Sequence, residues 1–197
     1  MQAEEVIEKF RNTGALLEGH FVLSSGLHSP VYLQCALVLE RPSDAEEFGR
    51  SIAQQFQTAN IQTVVAPAIG GIVIGYEVAR ALGARFIWTE RQDGKMILRR
   101  GFSVSPGERI LVVEDVVTTG GSTRETVAAL QANSAEVVAA ASIIDRSAGA
   151  ANVGVPRIAL ATLDVPAVRP AVCGLCKRGD AAVKPGSRKQ EAGGRRQ

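Results

Sequence analysis

Arg109-Ile110-Leu111-Val112-Val113-Glu114-Asp115-Val116-Val117-Thr118-Thr119-Gly120-Gly121-Ser122-Thr123 decides how this chain is read. Ile110 to Val113 is an apolar, β-branched run of the length of a buried strand. Two carboxylates follow it, then two threonines, two glycines, a serine and a threonine. From Arg124 to Gln131 the pattern is helical, with Val127 and Leu130 on one face and Ala128 and Ala129 filling it. The order is strand, acidic pair, Gly/Thr-rich turn, helix. In a parallel α/β sheet a ligand sits outside the carboxyl ends of the strands. Such a turn offers backbone N–H groups and hydroxyls at a helix N-terminus, where the dipole favours an anion. The lysine of the Walker pattern is missing, and so is G-x-G-x-x-G. A sugar phosphate fits better: carboxylates accept hydrogen bonds from ribose hydroxyls while the turn holds the 5′-phosphate. The plain alternative is a strand–turn–helix with solvated acids.

The 197 residues fit one α/β domain that can bury a core without staples. A hydrophobic share of 46% and a charged share of 21% are those of an ordinary globular protein. A net charge of +2 implies no strong nucleic-acid field. No apolar run reaches the ~18 residues of a membrane helix; Val137 to Ile144 comes nearest and contains Ser142. The acidic start Met1-Gln2-Ala3-Glu4-Glu5 lacks a signal-peptide shape. Three cysteines, an odd number, argue for a reducing compartment. The expectation is a cytoplasmic protein with neither membrane nor nucleic acid as partner.

Outward from the central stretch, residues 2–12 have the spacing of an amphipathic helix. Ala15 to Leu23 and Val31 to Leu39 read as two strands around the turn Ser24-Ser25-Gly26. Ser43 is the expected N-cap of the next helix, with Glu46 completing a capping box, and Phe48, Ile52 and Phe56 form its core stripe. Ile61 to Ala66 is a strand, Pro67-Ala68-Ile69-Gly70-Gly71 a turn, and Ile72 to Leu82 a helix ending at Gly83. This is a second glycine-bearing turn at a strand's carboxyl end, and two such turns facing each other could hold a diphosphate sugar. Ala84 to Thr89, Glu136 to Ile144 and Arg157 to Leu163 read as further strands, the second ending in Asp145-Arg146. Cys173-Gly174-Leu175-Cys176 is half of a structural zinc site, which would need two more ligands from elsewhere or from a second subunit. Two free thiols is the neutral expectation. Lys189 to Gln197 has no apolar anchors and reads as a disordered tail.

Val113 to Ser122 resembles the signature of type I phosphoribosyltransferases, and Gly19-His20-Phe21-Val22-Leu23-Ser24-Ser25-Gly26-Leu27-His28-Ser29-Pro30-Val31-Tyr32 is similar to the N-terminal region of orotate phosphoribosyltransferases. The resemblance implies an α/β type I phosphoribosyltransferase fold: one domain over 1–188, with a mainly parallel sheet flanked by helices. It adds a small hood at about 14–40 and a mobile lid at about 90–102. It implies transfer of ribose 5-phosphate from 5-phosphoribosyl 1-diphosphate to N1 of orotate, in pyrimidine biosynthesis, with Mg²⁺ carried by the diphosphate rather than by protein ligands. Glu114 and Asp115 would hold the ribose hydroxyls, and Val116, Val117, Thr118, Thr119, Gly120, Gly121 and Ser122 the 5′-phosphate region. Gly70 and Gly71 would meet the diphosphate. Arg91 and Lys95 match the catalytic cations of a lid shared across a homodimer, with Arg99 and Arg100 near its far edge. Ser25, Gly26, Tyr32, Thr118 and Arg146 match positions facing the base. Arg146 suits a planar ring bearing carboxylate and carbonyl oxygens, because it donates a bidentate fork. His20 and His28 are expected to be structural or secondary. Ser24 and Gly70 stand where the longer-studied form of the family has lysines. The alternatives are transfer to uracil or a purine, or a regulator that senses phosphoribosyl diphosphate without turnover.

Overall fold

The computed structural model describes residues 1–23 and 25–184. Its elements begin with α1 (Ala3–Asn12), β1 (Leu16–Val22), β2 (His28–Leu33), α2 (Cys35–Leu39), α3 (Pro42–Gln54) and β3 (Thr63–Pro67). They continue with α4 (Gly71–Leu82), β4 (Arg85–Gln92), β5 (Lys95–Leu98), β6 (Arg109–Val117), α5 (Gly121–Gln131), β7 (Glu136–Asp145) and β8 (Arg157–Thr162). A 3₁₀ turn at Pro170–Val172 and α6 (Gly174–Lys177) complete them. Ser24 and the expected tail 189–197 lie outside the described residues.

The chain divides into two compact units, where the sequence suggests one domain with a hood. The first takes Met1–Leu16 and Leu33–Val165. Its six-stranded sheet has the order β5-β4-β3-β6-β7-β8, parallel throughout except for the β4–β5 hairpin. Strands of such a sheet are apolar on both faces. Leu111 and Val113 of β6 join a core with α1, α2, α3 and α4, whereas Ile110 and Val112 join a second core with Val127 and Leu130 of α5. All four strand residues are fully buried, each contributing about 1.5–3 kcal/mol of transfer free energy. After β3 the chain moves outward to β4, and β6 returns on the other side of β3. That reversal creates a crevice at the carboxyl ends of β3 and β6, the topological switch point where open α/β sheets bind ligands.

The second unit joins Leu17–Tyr32 to the segment from Pro166. β1 and β2 form a two-stranded sheet. The distant segment hydrogen-bonds to both strands: Val183 to Val22 and His20, and Val168 to His28. This unit overlaps the expected hood at residues 17–32. Its two histidines and its two cysteines meet inside it.

Two local expectations are corrected, the strand over Val31–Leu39 and the helix cap at Ser43. Val31 to Leu39 is not one strand: β2 stops at Leu33, and Cys35, Val38 and Leu39 bury one face of α2. Apolar periodicity over so short a run does not separate strand from helix. Ser43 is not the cap of α3; Arg41 is, with Pro42 at the first helical position, where its fixed φ suits a helix start. Glu46, instead of completing a capping box, pairs with Arg50 and Arg80. The segment expected as a lid is a β4–β5 hairpin, its turn made by Asp93 and Gly94 at φ 51° and 79°, the geometry of a two-residue type I′ turn.

Candidate functional site

At the end of β6, Glu114 and Asp115 point to opposite faces of the strand, as successive residues must. The Thr123 hydroxyl donates to Glu114 Oε2. Burial pushes the Glu114 carboxyl up to about 7, with a smaller push from the charge of Asp115, while the Thr123 bond opposes both. Asp115 Oδ1 accepts the Val116 N–H at 2.9 Å. Burial also raises the Asp115 pKa, against hydrogen bonds from backbone and from the Cys35 thiol. That thiol is itself driven well above its ordinary value, first by burial and then by Asp115. No sequence signal marks Cys35, because it reaches Asp115 only through the fold.

After β6 the chain turns through Thr118 and Thr119, both exposed, to Gly120, the N-cap of α5. Gly120 has φ 73°, and a Cβ there would lie 2.8 Å from Val153 Cγ1. Only glycine satisfies both the left-handed backbone and that contact. No side chain caps α5, and its first turn has no acidic residue. Its leading N–H groups therefore keep their capacity for an anion. The expected helix start at Arg124 moves back to Gly121, placing Ser122 and Thr123 in that first turn.

The neighbouring strand β3 ends in the same way. Its turn leads to α4, whose N-cap Gly70 also has neither a side-chain cap nor an acidic first turn. A Cβ on Gly70 would lie 2.8 Å from both Oδ1 and Oδ2 of Asp115. The Asp115 carboxylate therefore rests against the bare backbone of the β3 turn. Two uncapped helix N-termini, one carboxylate between their turns and a second carboxylate beside the α5 start make a site for an anionic, hydroxyl-bearing ligand. These oxygens are also hard donors of the kind that Mg²⁺ takes.

Arg146 follows β7, and its N–H donates to Val117 O at 2.7 Å, fixing it beside the end of β6. Asp145 pairs with Arg157 at 2.8 Å and accepts the Ser147 hydroxyl and N–H; these hold its carboxyl below the usual range although burial pushes it up. Arg91 pairs with Glu125 at 2.8 Å and donates to Gly94 O. Arg99 and Arg100 pair with Glu90. Lys95 is exposed and pairs with Gln92 across the hairpin backbone. Ser25, Gly26 and Tyr32 belong to the second unit, where the Tyr32 ring lies 5.8 Å from that of Phe21. A cleft of about 320 Å³ lined by Gln62, Thr63, Arg85 and Glu108 opens at the amino ends of the strands, away from these groups.

The phosphoribosyl transferase domain family matches residues 38–157. Orotate phosphoribosyltransferase of Pelotomaculum thermopropionicum is 51% identical over 189 residues, 96% of this chain and 100% of that protein. The enzyme of that name from Thermotoga maritima is 51% identical over 185 residues, covering 94% and 97%. The crystal structure of orotate phosphoribosyltransferase from Aeropyrum pernix superposes with a TM-score of 0.65 at 27% identity, covering 80% of this chain and 93% of that one.

Proposed function

This chain belongs to the orotate phosphoribosyltransferase family, and on that premise we propose how its residues carry out the reaction. The enzyme joins orotate to 5-phosphoribosyl 1-diphosphate, giving orotidine 5′-monophosphate and diphosphate. N1 of orotate, its N–H proton already given up to solvent, bonds to C1 of the ribose, and the C1–oxygen bond breaks with its electron pair leaving on the diphosphate. Positive charge develops on the ribose ring, as in glycosyl transfer generally. No protein nucleophile is required. The protein contributes positioning and fixed dipoles.

One observation carries the assignment of parts: Asp115 rests on Gly70, so the carboxylates of β6 lie beside both uncapped helix starts. The α5 start, Thr118 to Ser122 with the backbone of Val116 and Val117, takes the 5′-phosphate. Glu114 and Asp115 take the ribose hydroxyls. The Gly70–Gly71 backbone takes the diphosphate. Mg²⁺ bound to the diphosphate lowers its charge, and Asp115 and the Gly70 turn are the groups that would hold this complex. Arg146 donates to the oxygens of the base, beside Thr118. Ser25, Gly26 and Tyr32 carry the base-contacting roles that the resemblance gives them. Arg91 and Lys95 neutralise the departing diphosphate from the partner subunit of a homodimer. The Arg91–Glu125 pair, with 44% and 41% of its side chains exposed, is of the kind worth ~0–1 kcal/mol, so its release costs little.

Ile69, Val73 and Tyr76 support the dimer. Ile69, in the turn before α4, is 85% exposed, and Val73 and Tyr76, three residues apart on α4, are 45% and 57% exposed, apolar side chains of the kind that a partner covers. Among the described residues no helix is long and apolar enough to cross a membrane. The test is to follow loss of orotate absorbance on mixing protein, orotate, phosphoribosyl diphosphate and Mg²⁺. Loss that needs all of them, with diphosphate released, is the expected result. Turnover only with uracil or a purine would move the enzyme to another base, and binding without turnover would make it a sensor.

A further inference from the structure

His20, His28, Cys173 and Cys176 bring one ligand atom each to a single point of the second unit, all within 4.8 Å of one another. The geometry points to a structural Zn²⁺ site made of these two histidines and two cysteines. Metal–nitrogen bonds of about 2.0–2.1 Å and metal–sulfur bonds of about 2.3 Å, arranged tetrahedrally, place N and S neighbours about 3.5 Å apart. The observed separations are 3.5 Å from Cys173 Sγ to His20 Nε2, 3.7 Å from Cys176 Sγ to His20 Nε2, and 3.3 Å from Cys176 Sγ to His28 Nδ1. His20 Nε2 and His28 Nδ1 are 2.8 Å apart, a ring–ring hydrogen bond that a metal ion would replace.

A second, independent feature orients the set. His20 Nδ1 lies 2.8 Å from Asp180 O. A carbonyl only accepts, so Nδ1 carries the proton of the neutral ring and the Nε2 lone pair faces the cluster. This is the outer hydrogen bond that metal-ligating histidines make. Two thiolates and two imidazoles in a closed set favour zinc. All four positions come from protein, so the ion has no open site for substrate and acts structurally.

The site also answers a need of this unit. Among the described residues, none that belongs to this unit falls in either hydrophobic cluster. A unit of that size without an apolar core calls for a staple, and metal binding supplies folding free energy directly. The ion would tie β1, β2 and the Cys173–Cys176 segment together, with the Ser25–Gly26 turn between the two histidines. The two ligands missing from the C-x-x-C pair are thus in the same chain, eight residues apart. This inference stands whether or not orotate is the base.

The test is metal analysis of the full-length protein purified without chelators, together with cobalt substitution. About one zinc per chain is expected, and Co²⁺ in its place should give the intense visible bands of a tetrahedral, thiolate-ligated ion. Cys176→Ser, at the outermost ligand, should lose those bands and most of the zinc. A folded wild-type protein with less than about a tenth of a zinc per chain and no cobalt bands would overturn the proposal, as would a Cys176→Ser variant that binds both metals like wild type.

Discussion

Gly70→Ala is a change whose effect on function can be separated from its effect on folding. Gly70 sits at φ −55° and ψ −42°, ordinary helical backbone, so alanine adds no backbone strain. As the N-cap of α4, Gly70 lies outside the helix interior, so the interior preference for alanine does not apply there. The new methyl would lie 2.8 Å from both Asp115 oxygens and 3.0 Å from its Cγ, closer than real contacts allow. The atoms in the way are the end of a movable side chain, so the strain is relieved by swinging Asp115 off the turn, away from its Val116 N–H at 2.9 Å. A hydrogen bond to a charged group is worth about 1.5–3 kcal/mol. Losing one to the ribose phosphate therefore lowers kcat/KM by about 10- to 100-fold. The assay is steady-state kinetics with phosphoribosyl diphosphate as the varied substrate, beside a thermal melt. Gly70→Ala should melt near wild type and lose activity. Asp115→Asn should lose a similar factor, and the double variant should lose little more, because both changes remove one interaction. Wild-type kcat/KM in Gly70→Ala, or full additivity in the double variant, would refute the account of Asp115.

The Glu114 carboxyl, raised from 4.5 to about 7, must ionise to accept ribose hydroxyls, so KM for phosphoribosyl diphosphate should fall as pH rises through about 7, and Glu114→Gln should flatten that dependence. Its effect on stability has the opposite slope: the folded state holds the proton between the two pKa values, so its stabilising share is full below about 4.5 and declines through about 7, by about 3 kcal/mol in all. Melts of wild type and Glu114→Gln across that range should diverge accordingly. Arg91→Ala and Lys95→Ala should each lower kcat by at least tenfold with less than about 1 kcal/mol of stability change, since both are exposed; unchanged kcat in both would remove the hairpin from the mechanism. Gly120→Ala forces a residue into φ 73° and a methyl onto Val153, and should cost about 1–3 kcal/mol in denaturant unfolding.

What the sequence made legible was local. Ile110 to Thr123 carries its strand, its acids and its turn in one contiguous run, and periodicity finds such runs. The start of α5 was misplaced by three residues, because Gly121, Ser122 and Thr123 are weak helix formers placed where an uncapped N-terminus serves an anion. Cys35 carries no sequence signal, because it reaches Asp115 only through the fold. The second unit was only half visible: residues 17–32 announced a hairpin, but its other half begins at Pro166. For the same reason the C-x-x-C pair could be read as two free thiols, since its partners His20 and His28 lie some hundred and fifty residues earlier. The Asp145–Arg157 pair likewise exists only because β7 and β8 are neighbours.

A crystal structure of the protein with orotidine 5′-monophosphate tests the central claim most directly. The account predicts the 5′-phosphate on the N–H groups at the start of α5, between Thr118 and Ser122, with the ribose hydroxyls on Glu114 and Asp115 and the base oxygens on Arg146. A nucleotide bound elsewhere, such as in the cleft lined by Gln62, Arg85 and Glu108 at the amino ends of the strands, would contradict it.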